Sequence, residues 1–155
     1  MQRSILTAAT VVLFLGTAIF AATAHEGEHF SAGEPGNPKK PARTVTITMS
    51  DGDGTMRFTP DRLDVKRGEQ VHFIIQNKGA LKHEFTLASV QDNNKHAELM
   101  QKYPDMEHDD PNAKSVDPGK AAEILWHFSK VGTFEFACLI PGHREAGMRG
   151  TVAVK

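Results

Sequence analysis

The sequence predicts an all-β protein, a β-sandwich of seven or eight short strands with one short helix in an insertion. Apolar and polar residues alternate with period two in several short runs, most clearly at 70–77, which is typical of half-buried strands. Turn residues separate these runs, as at 51–54 and 77–80. Only residues 95–103 have a helical pattern, and Pro104 follows them. Many short strands with turn signals between them favour a sandwich.

The predicted strands follow the same alternation along the whole chain after residue 42. They cover residues 43–49, 56–58, 62–65, 70–77, 85–87, 121–128, 132–137 and 150–154. Residues 90–120 interrupt the pattern with the helix and an acidic loop, and they form the predicted insertion.

The first 24 residues are typical of a secretory signal peptide. Arg3 supplies a positive charge, residues 5–22 are apolar, and Ala22-Thr23-Ala24 fits the small-x-small cleavage rule. An uncleaved membrane anchor is the alternative, because the apolar run is long. No positively charged residue follows Ala24 directly, which favours cleavage. We therefore expect an exported, periplasmic protein with no stable membrane insertion after signal cleavage.

Residues 25–42 are rich in proline, glycine and charge, and we expect a flexible N-terminal tail before a single domain over 43–155. Cleavage after Ala24 would make His25 the new N-terminus, whose amine and imidazole can chelate Cu(II) with His29 close by. The tail would then hold a second, labile copper. The alternative is that both histidines are simply solvated, because short histidine tracts are only compositional support for metal binding.

Composition excludes some classes of protein. The formal net charge is −1 and no basic run is present, so nucleic acid is not an expected partner, and we expect a monomer. The chain has one cysteine, so it has no internal disulfide. A free thiol in an oxidising compartment needs protection, which a bound metal would provide.

That cysteine belongs to a distinctive loop. Cys138, His143 and Met148 follow one another at intervals of five positions, between the predicted strands 132–137 and 150–154. A proline and two glycines in the loop prevent regular structure. A thiolate, an imidazole and a thioether are soft to borderline donors, which suit copper and not magnesium or calcium.

This Cys-x4-His-x4-Met loop resembles the C-terminal ligand loop of the cupredoxins, the single-domain blue copper proteins, and its spacing is similar to that of rusticyanin-like members. The resemblance covers residues 45–155 and implies a Greek-key β-sandwich with one type 1 copper. It also implies a fourth ligand on an upstream strand, which His83 supplies. The ligands would be His83, Cys138 and His143, with Met148 as the weak axial donor.

The closest resemblance is to periplasmic cupredoxins linked to copper tolerance in proteobacteria, which share a mature N-terminus containing His and Glu. In cupredoxins a redox partner docks on an apolar patch around the loop histidine. Here that patch would be formed by the apolar neighbours of His143, which are Leu139, Ile140, Pro141 and Ala146.

Two further groups of residues bear on the site. The second ring nitrogen of His83 needs a hydrogen-bond partner, for which Asn77 is a candidate. The insertion also contains two histidines and two methionines that could form an auxiliary copper site. These are His96, Met100, Met106 and His108. The alternative is that they are ordinary residues of an exposed loop.

The predicted function is that of a copper protein cycling between Cu(I) and Cu(II), which acts in copper tolerance and one-electron transfer. A dedicated respiratory electron carrier with no tolerance role is the alternative. We expect no enzyme beyond weak cuprous oxidation, because Ala137 and Leu139 flank Cys138 and no adjacent histidine bridges to a second copper, as oxidases and nitrite reductases require. A cysteine hydrolase would leave Met148 without a role. Zinc is a further alternative for the same ligands, but the thioether of Met148 does not favour it.

Overall fold

The structure, a computed structural model, describes residues 29–155 and confirms the all-β class. Within these residues there are ten strands and one α-helix. The strands are β1 (Glu34–Pro35), β2 (Arg43–Gly52), β3 (Thr55–Thr59), β4 (Arg62–Val65), β5 (Gln70–Asn77), β6 (His83–Ala88), β7 (Ala113–Val116), β8 (Ala121–His127), β9 (Gly132–Ala137) and β10 (Arg149–Val154). The helix is α1 (Val90–Lys102).

Two of these strands, β1 and β7, raise the number from the predicted seven or eight to ten. Neither has an alternating sequence of useful length. They form because each pairs with an existing strand, β1 with β8 and β7 with β6. Their hydrogen bonds complete the edges of sheets that other residues build, so the local sequence carries little signal for them.

The strands form two five-stranded sheets. One has the order β1-β8-β5-β2-β3, and the other has the order β4-β10-β9-β6-β7. Both are mixed, because β2 is parallel to β5 and β4 is parallel to β10 while the other pairs are antiparallel. Sheets of this size bury one face against each other and form a sandwich.

The core lies between the two sheets and is aromatic. Phe73 of β5 contacts Phe85 of β6 with ring centroids 5.5 Å apart, and Phe85 stacks on Phe136 of β9 at 5.2 Å. All three rings are fully buried. Burying an aromatic or large aliphatic side chain contributes about 1.5–3 kcal/mol. The core therefore holds β6 and β9 firmly, and these strands carry the residues described below.

Helix α1 begins earlier than the sequence predicted. It starts at Val90 and not at residue 95, because Ser89 caps it: the Ser89 Oγ accepts a hydrogen bond of 3.1 Å from the Asp92 backbone N–H. It ends at Lys102, close to the predicted end at residue 103. The helix packs on β6 and β9, so it covers the outer face of the second sheet.

Residues 30–37 differ from the expected flexible tail. Ala32 is fully buried, its carbonyl accepts a 3.2 Å hydrogen bond from the Trp126 indole, and Gly36 donates to the Leu125 carbonyl at 2.8 Å. The physical reason is that the open edge of β8 offers unpaired backbone groups, which this segment satisfies. The predicted signal peptide and residues 25–28 lie outside the described residues.

Between residues 29 and 155, the structure contains no helix with the length and apolar character needed to span a membrane.

Candidate metal centre

Strand pairing brings His83 and Cys138 together. β6 and β9 are antiparallel with Thr86 opposite Ala137, so the start of β6 and the segment that follows β9 lie at the same end of this sheet. His83 is that first residue, and Cys138 directly follows β9. Met148 directly precedes β10, which pairs with β9. The ligand loop, residues 138–148, therefore begins and ends at one end of the sandwich next to His83.

Three donor atoms converge there. The Nδ1 atoms of His83 and His143 are 3.2 Å apart, and the Sγ of Cys138 is 3.3 Å from the Nδ1 of His143. All three lie within 4.8 Å of one another. His83 and Cys138 are fully buried, whereas His143 is partly exposed. Imidazole and thiolate ligands bind metals at about 2.0–2.3 Å, so donors this close to one another fit a single ion.

Asp51 holds the ring of His83. Its Oδ2 lies 2.8 Å from the His83 Nε2, which leaves Nδ1 directed toward Cys138 and His143. The same carboxylate accepts backbone hydrogen bonds from Ala80 and Leu81, each of 3.1 Å. These two N–H groups, and then the bond to His83, hold the pKa of Asp51 below its ordinary value. An ionised Asp51 fixes the ring and the tautomer that a metal needs.

The expectation that Asn77 would hold His83 is wrong. Its side-chain amide donates instead to the carbonyls of Leu81 and Val116, each at 2.8 Å, and its oxygen accepts from the Gly79 N–H at 2.9 Å. Asn77 therefore braces the turn before β6. Asp51 is 32 residues from His83 in sequence. No local signal identifies it, because Asp51 lies on β2 in the other sheet and reaches His83 only when the two sheets pack together.

Gly79 makes room for the Asp51–His83 contact. A Cβ atom at this position would overlap the Asp51 carboxylate and lie 3.1 Å from the His83 Nε2. Any larger residue must displace the carboxylate or the ring. The glycine is thus required by close approach to the site.

The thiol of Cys138 is shielded from solvent. It accepts a 3.3 Å hydrogen bond from the Glu84 backbone N–H. Burial raises the pKa of Cys138 to about 12. Without metal the group is therefore a thiol at neutral pH, and a bound copper must displace its proton to obtain the thiolate ligand.

Backbone hydrogen bonds shape the ligand loop. Met148 donates to the His143 carbonyl at 3.0 Å, and Cys138 donates to the Met148 carbonyl at 3.1 Å. Gly142 and Gly147 have φ angles of 88° and 108°, which residues with a Cβ adopt only with strain. Met148 is fully buried in the same core cluster as Cys138. The side chain of Met148, the predicted axial ligand, is therefore part of the core.

An ion pair ties the loop to the sheet and the helix. The Arg144 guanidinium contacts Glu135 of β9 at 2.8 Å and Asn94 of α1 at 2.7 Å. Asn93 donates to the same Glu135 carboxylate at 3.0 Å. Glu135 is only 7% exposed, so these partners offset the cost of burying its carboxylate.

The apolar patch around His143 is smaller than the sequence predicted. Leu139 is 2% exposed and packs with Met100 and Ala137 beneath the surface, so it does not contribute to a docking face. Pro141 is exposed, and Ile140 is partly exposed. Ala146 is partly exposed as well.

Three of the predicted auxiliary residues also meet. The Nε2 atoms of His96 and His108 are 3.0 Å apart, and the His108 Nε2 is 3.4 Å from the Met100 Sδ. Met106 packs against the cluster that contains Met100. His29 is exposed. His25 lies outside the part of the chain that the structure describes.

Two residues of this region escaped sequence reasoning. The Glu84 carboxylate lies 3.9 Å from the His108 Nε2, although Glu84 directly follows His83 on β6. Burial raises the pKa of Glu84, opposed by the nearby His108. Asp110 lies 3.4 Å from the His108 Nδ1. The only sequence feature that singles out Glu84 is its position directly after His83, a predicted ligand.

The sandwich, and the convergence of His83, Cys138 and His143 at one end of it, are the features of a cupredoxin-type domain. Residues 44–155 match the family of copper binding proteins described as the plastocyanin/azurin family, and the chain belongs to it. It is 48% identical over 140 residues to the copper-resistant cuproprotein CopI of Rubrivivax gelatinosus, covering 90% of this chain and 82% of that protein.

Two other comparisons agree with this assignment. The copper-resistant cuproprotein CopI of Pseudomonas aeruginosa is 33% identical over 184 residues, covering 99% of this chain and 98% of that protein. The solved structure of auracyanin B has a TM-score of 0.62 at 21% identity, covering 81% of this chain and 98% of that one. The similarity to auracyanin B concerns the fold alone.

Proposed function

We propose that this protein is a periplasmic cupredoxin with one type 1 copper, which acts in copper tolerance and in one-electron transfer. The observation that carries the proposal is the convergence of His83, Cys138 and His143 within 4.8 Å, beside a buried Met148. Two imidazoles and a thiolate with a weak thioether are the ligands of electron-transfer copper sites.

The residues around the site keep these ligands in one arrangement. Asp51 contacts the Nε2 of His83, the ring nitrogen that faces away from the other donors, and backbone hydrogen bonds of the loop hold His143 and Met148. Copper would supply a one-electron couple, and the same ligands would hold both its Cu(I) and its Cu(II) form. A rigid protein frame therefore reduces the rearrangement that accompanies a change of oxidation state. Partial exposure of His143 leaves one ligand close to the surface.

The proposed role in copper tolerance rests on the similarity of this chain to two named relatives. Both CopI proteins are named as copper-resistant cuproproteins, and one is 48% identical to this chain. A periplasmic location is in keeping with that role and with the predicted signal peptide at 1–24. An electron-transfer partner would dock on the exposed side of the loop, at Ile140, Pro141 and His143. We expect the protein to work there as a monomer.

The protein is proposed to be an electron-transfer and copper-binding protein and not an oxidase. Ala137 and Leu139, which flank Cys138, are both buried and apolar. Neither can ligate a second copper next to the thiolate, so no multicopper relay starts from this loop. Weak oxidation of Cu(I) remains compatible with a single redox-active site.

A deletion strain tests the proposal. Growth in rising copper and respiratory electron flow would be measured after complementation with the wild-type gene, with Cys138→Ser, and with His72→Gln. His72 lies on the opposite sheet and pairs with Glu123 at 2.8 Å, so its variant is the control. We expect tolerance to return with the wild type and the control but not with Cys138→Ser. If the strain with Cys138→Ser keeps wild-type copper tolerance but has impaired respiration, the result would instead favour a dedicated electron carrier.

A further inference from the structure

A second cluster of metal-binding side chains lies beside α1. His96 and Met100 are four residues apart on the helix, so they share one face. His108, from the loop after the helix, points its Nε2 at both, 3.0 Å from the His96 Nε2 and 3.4 Å from the Met100 Sδ. Met100 is fully buried, and His108 is 6% exposed. Three donor atoms thus converge outside the cupredoxin site.

The ring of His108 is held as a metal ligand would be. Its Nδ1 faces the Asp110 carboxylate at 3.4 Å, which leaves Nε2 for the cluster. Its backbone N–H donates to the Ser115 Oγ at 3.1 Å, and its carbonyl accepts from the Ser115 N–H at 3.0 Å. These contacts fix the residue against β7, although the surrounding loop has no regular structure.

A buried carboxylate next to the same cluster has one oxygen without a hydrogen-bond partner in the part of the chain that the structure describes. Glu84 is 1% exposed, its Oε1 lies 3.9 Å from the His108 Nε2, and its Oε2 has no hydrogen-bond partner among the described residues. A buried polar atom of this kind calls for an explanation, and an absent ion is one of the established ones.

We propose that His96, Met100 and His108, with the carboxylate of Glu84, form a second copper site. The thioether donor favours Cu(I), imidazole suits copper in general, and the carboxylate adds a harder oxygen donor on the inner side. The site opens to solvent through a cleft of about 170 Å³ that is lined in part by His96, His108 and Asp110. An ion can therefore enter without passing the cupredoxin site.

The two sites share one strand. His83 faces the first site and Glu84 faces the second, and the Glu84 N–H is bonded to the Cys138 Sγ at 3.3 Å. The second site would thus be a separate copper store directly behind the first. Its existence does not depend on the proposed function of the first site.

Anaerobic Cu(I) titration of the full mature chain against a chromophoric Cu(I) chelator tests the proposal. Cys138→Ser is the background, because it weakens the first site. We expect His96→Gln with His108→Gln to lower the amount of tightly bound Cu(I) by one equivalent per chain. The matched control is His72→Gln with His127→Gln, whose histidines pair with Glu123 and Glu34 on the other sheet. It should bind as the background does.

A second measurement assigns the site and avoids any folding defect of the double variant. Cu(I) is diamagnetic, so the ¹³C ε-methyl resonance of Met100 can be followed by NMR, assigned by its absence in Met100→Leu. We expect this resonance to shift as Cu(I) is added, and Met100→Leu to bind the ion at least about ten-fold more weakly. An unmoved Met100 resonance at saturating Cu(I) overturns the proposal. So does equal binding by Met100→Leu and the background. Blue or green colour in the wild type reports separately on the first site.

Discussion

The carboxylate of Asp51 lies 2.8 Å from the Nε2 of His83, on the side of the ring opposite the other ligands. Asp51 comes from the end of β2 and His83 from the start of β6, so the two sheets meet in this contact. The carboxylate is itself held by two backbone N–H groups. The orientation of His83, a proposed copper ligand, therefore depends on the packing of the sandwich.

Asp51→Asn should weaken copper binding by about ten-fold, and Asp51→Ala by up to about a hundred-fold, because the ring of His83 loses its anchor. Competition with a copper chelator gives the affinity. Asp53→Asn, on the exposed turn after β2, is the matched control and should bind as the wild type does. Wild-type affinity in Asp51→Ala would show that the contact does not orient the ligand.

Gly79→Ala should produce a similar loss without removing any polar group. The added Cβ overlaps the Asp51 carboxylate, so either Asp51 or His83 must move. Chelator competition and the visible spectrum of the Cu(II) form would report the change. If both match the wild type, the turn has room to shift and close packing at Gly79 is not essential.

Cys138→Ser should abolish the blue or green colour of the Cu(II) protein, since the absorption arises from charge transfer between sulfur and copper. The substitution is nearly isosteric at a fully buried position. Visible absorption after loading with Cu(II) gives the readout, and circular dichroism checks the fold. Colour that survives the substitution would exclude Cys138 as the ligand.

Met148→Leu should keep copper and colour while raising the reduction potential. The axial donor tunes the reduction potential of such sites, and its loss costs Cu(II), which favours a higher coordination number, more than it costs Cu(I). Leucine conserves the volume of a fully buried side chain. Protein-film voltammetry measures the potential. Complete loss of copper, or an unchanged potential, would contradict an axial role for Met148.

Arg144→Ala should lower the free energy of unfolding of the metal-free protein by about 2–3 kcal/mol. It leaves the Glu135 carboxylate, 7% exposed, without its charged partner. Urea denaturation measures the change. Arg67→Ala, in an exposed turn, should alter stability by no more than about 0.5 kcal/mol. Equal effects of the two substitutions would mean that the ion pair does not anchor the loop.

The central strands were predictable because their signal is local. Val71, Phe73 and Ile75 alternate with less buried residues on β5, and the structure buries these three. The donors of the ligand loop were also recognisable, since Cys138, His143 and Met148 stand at regular intervals between two alternating runs. The resemblance to cupredoxins added His83, which no local pattern singles out.

Other features depend on groups that are distant in sequence. The edge strand β1 exists because β8 offers unpaired backbone groups, and Asp51 reaches His83 because two sheets pack together. Leu139 looked like part of an apolar surface, yet α1 covers it through Met100. The sequence by itself therefore determined the class of fold and the chemistry of the loop, because period-two alternation and donor spacing are local properties. Tertiary structure alone decided which groups orient the ligands and which buried carboxylate faces His108, because those contacts join residues that only the folded sheets bring together.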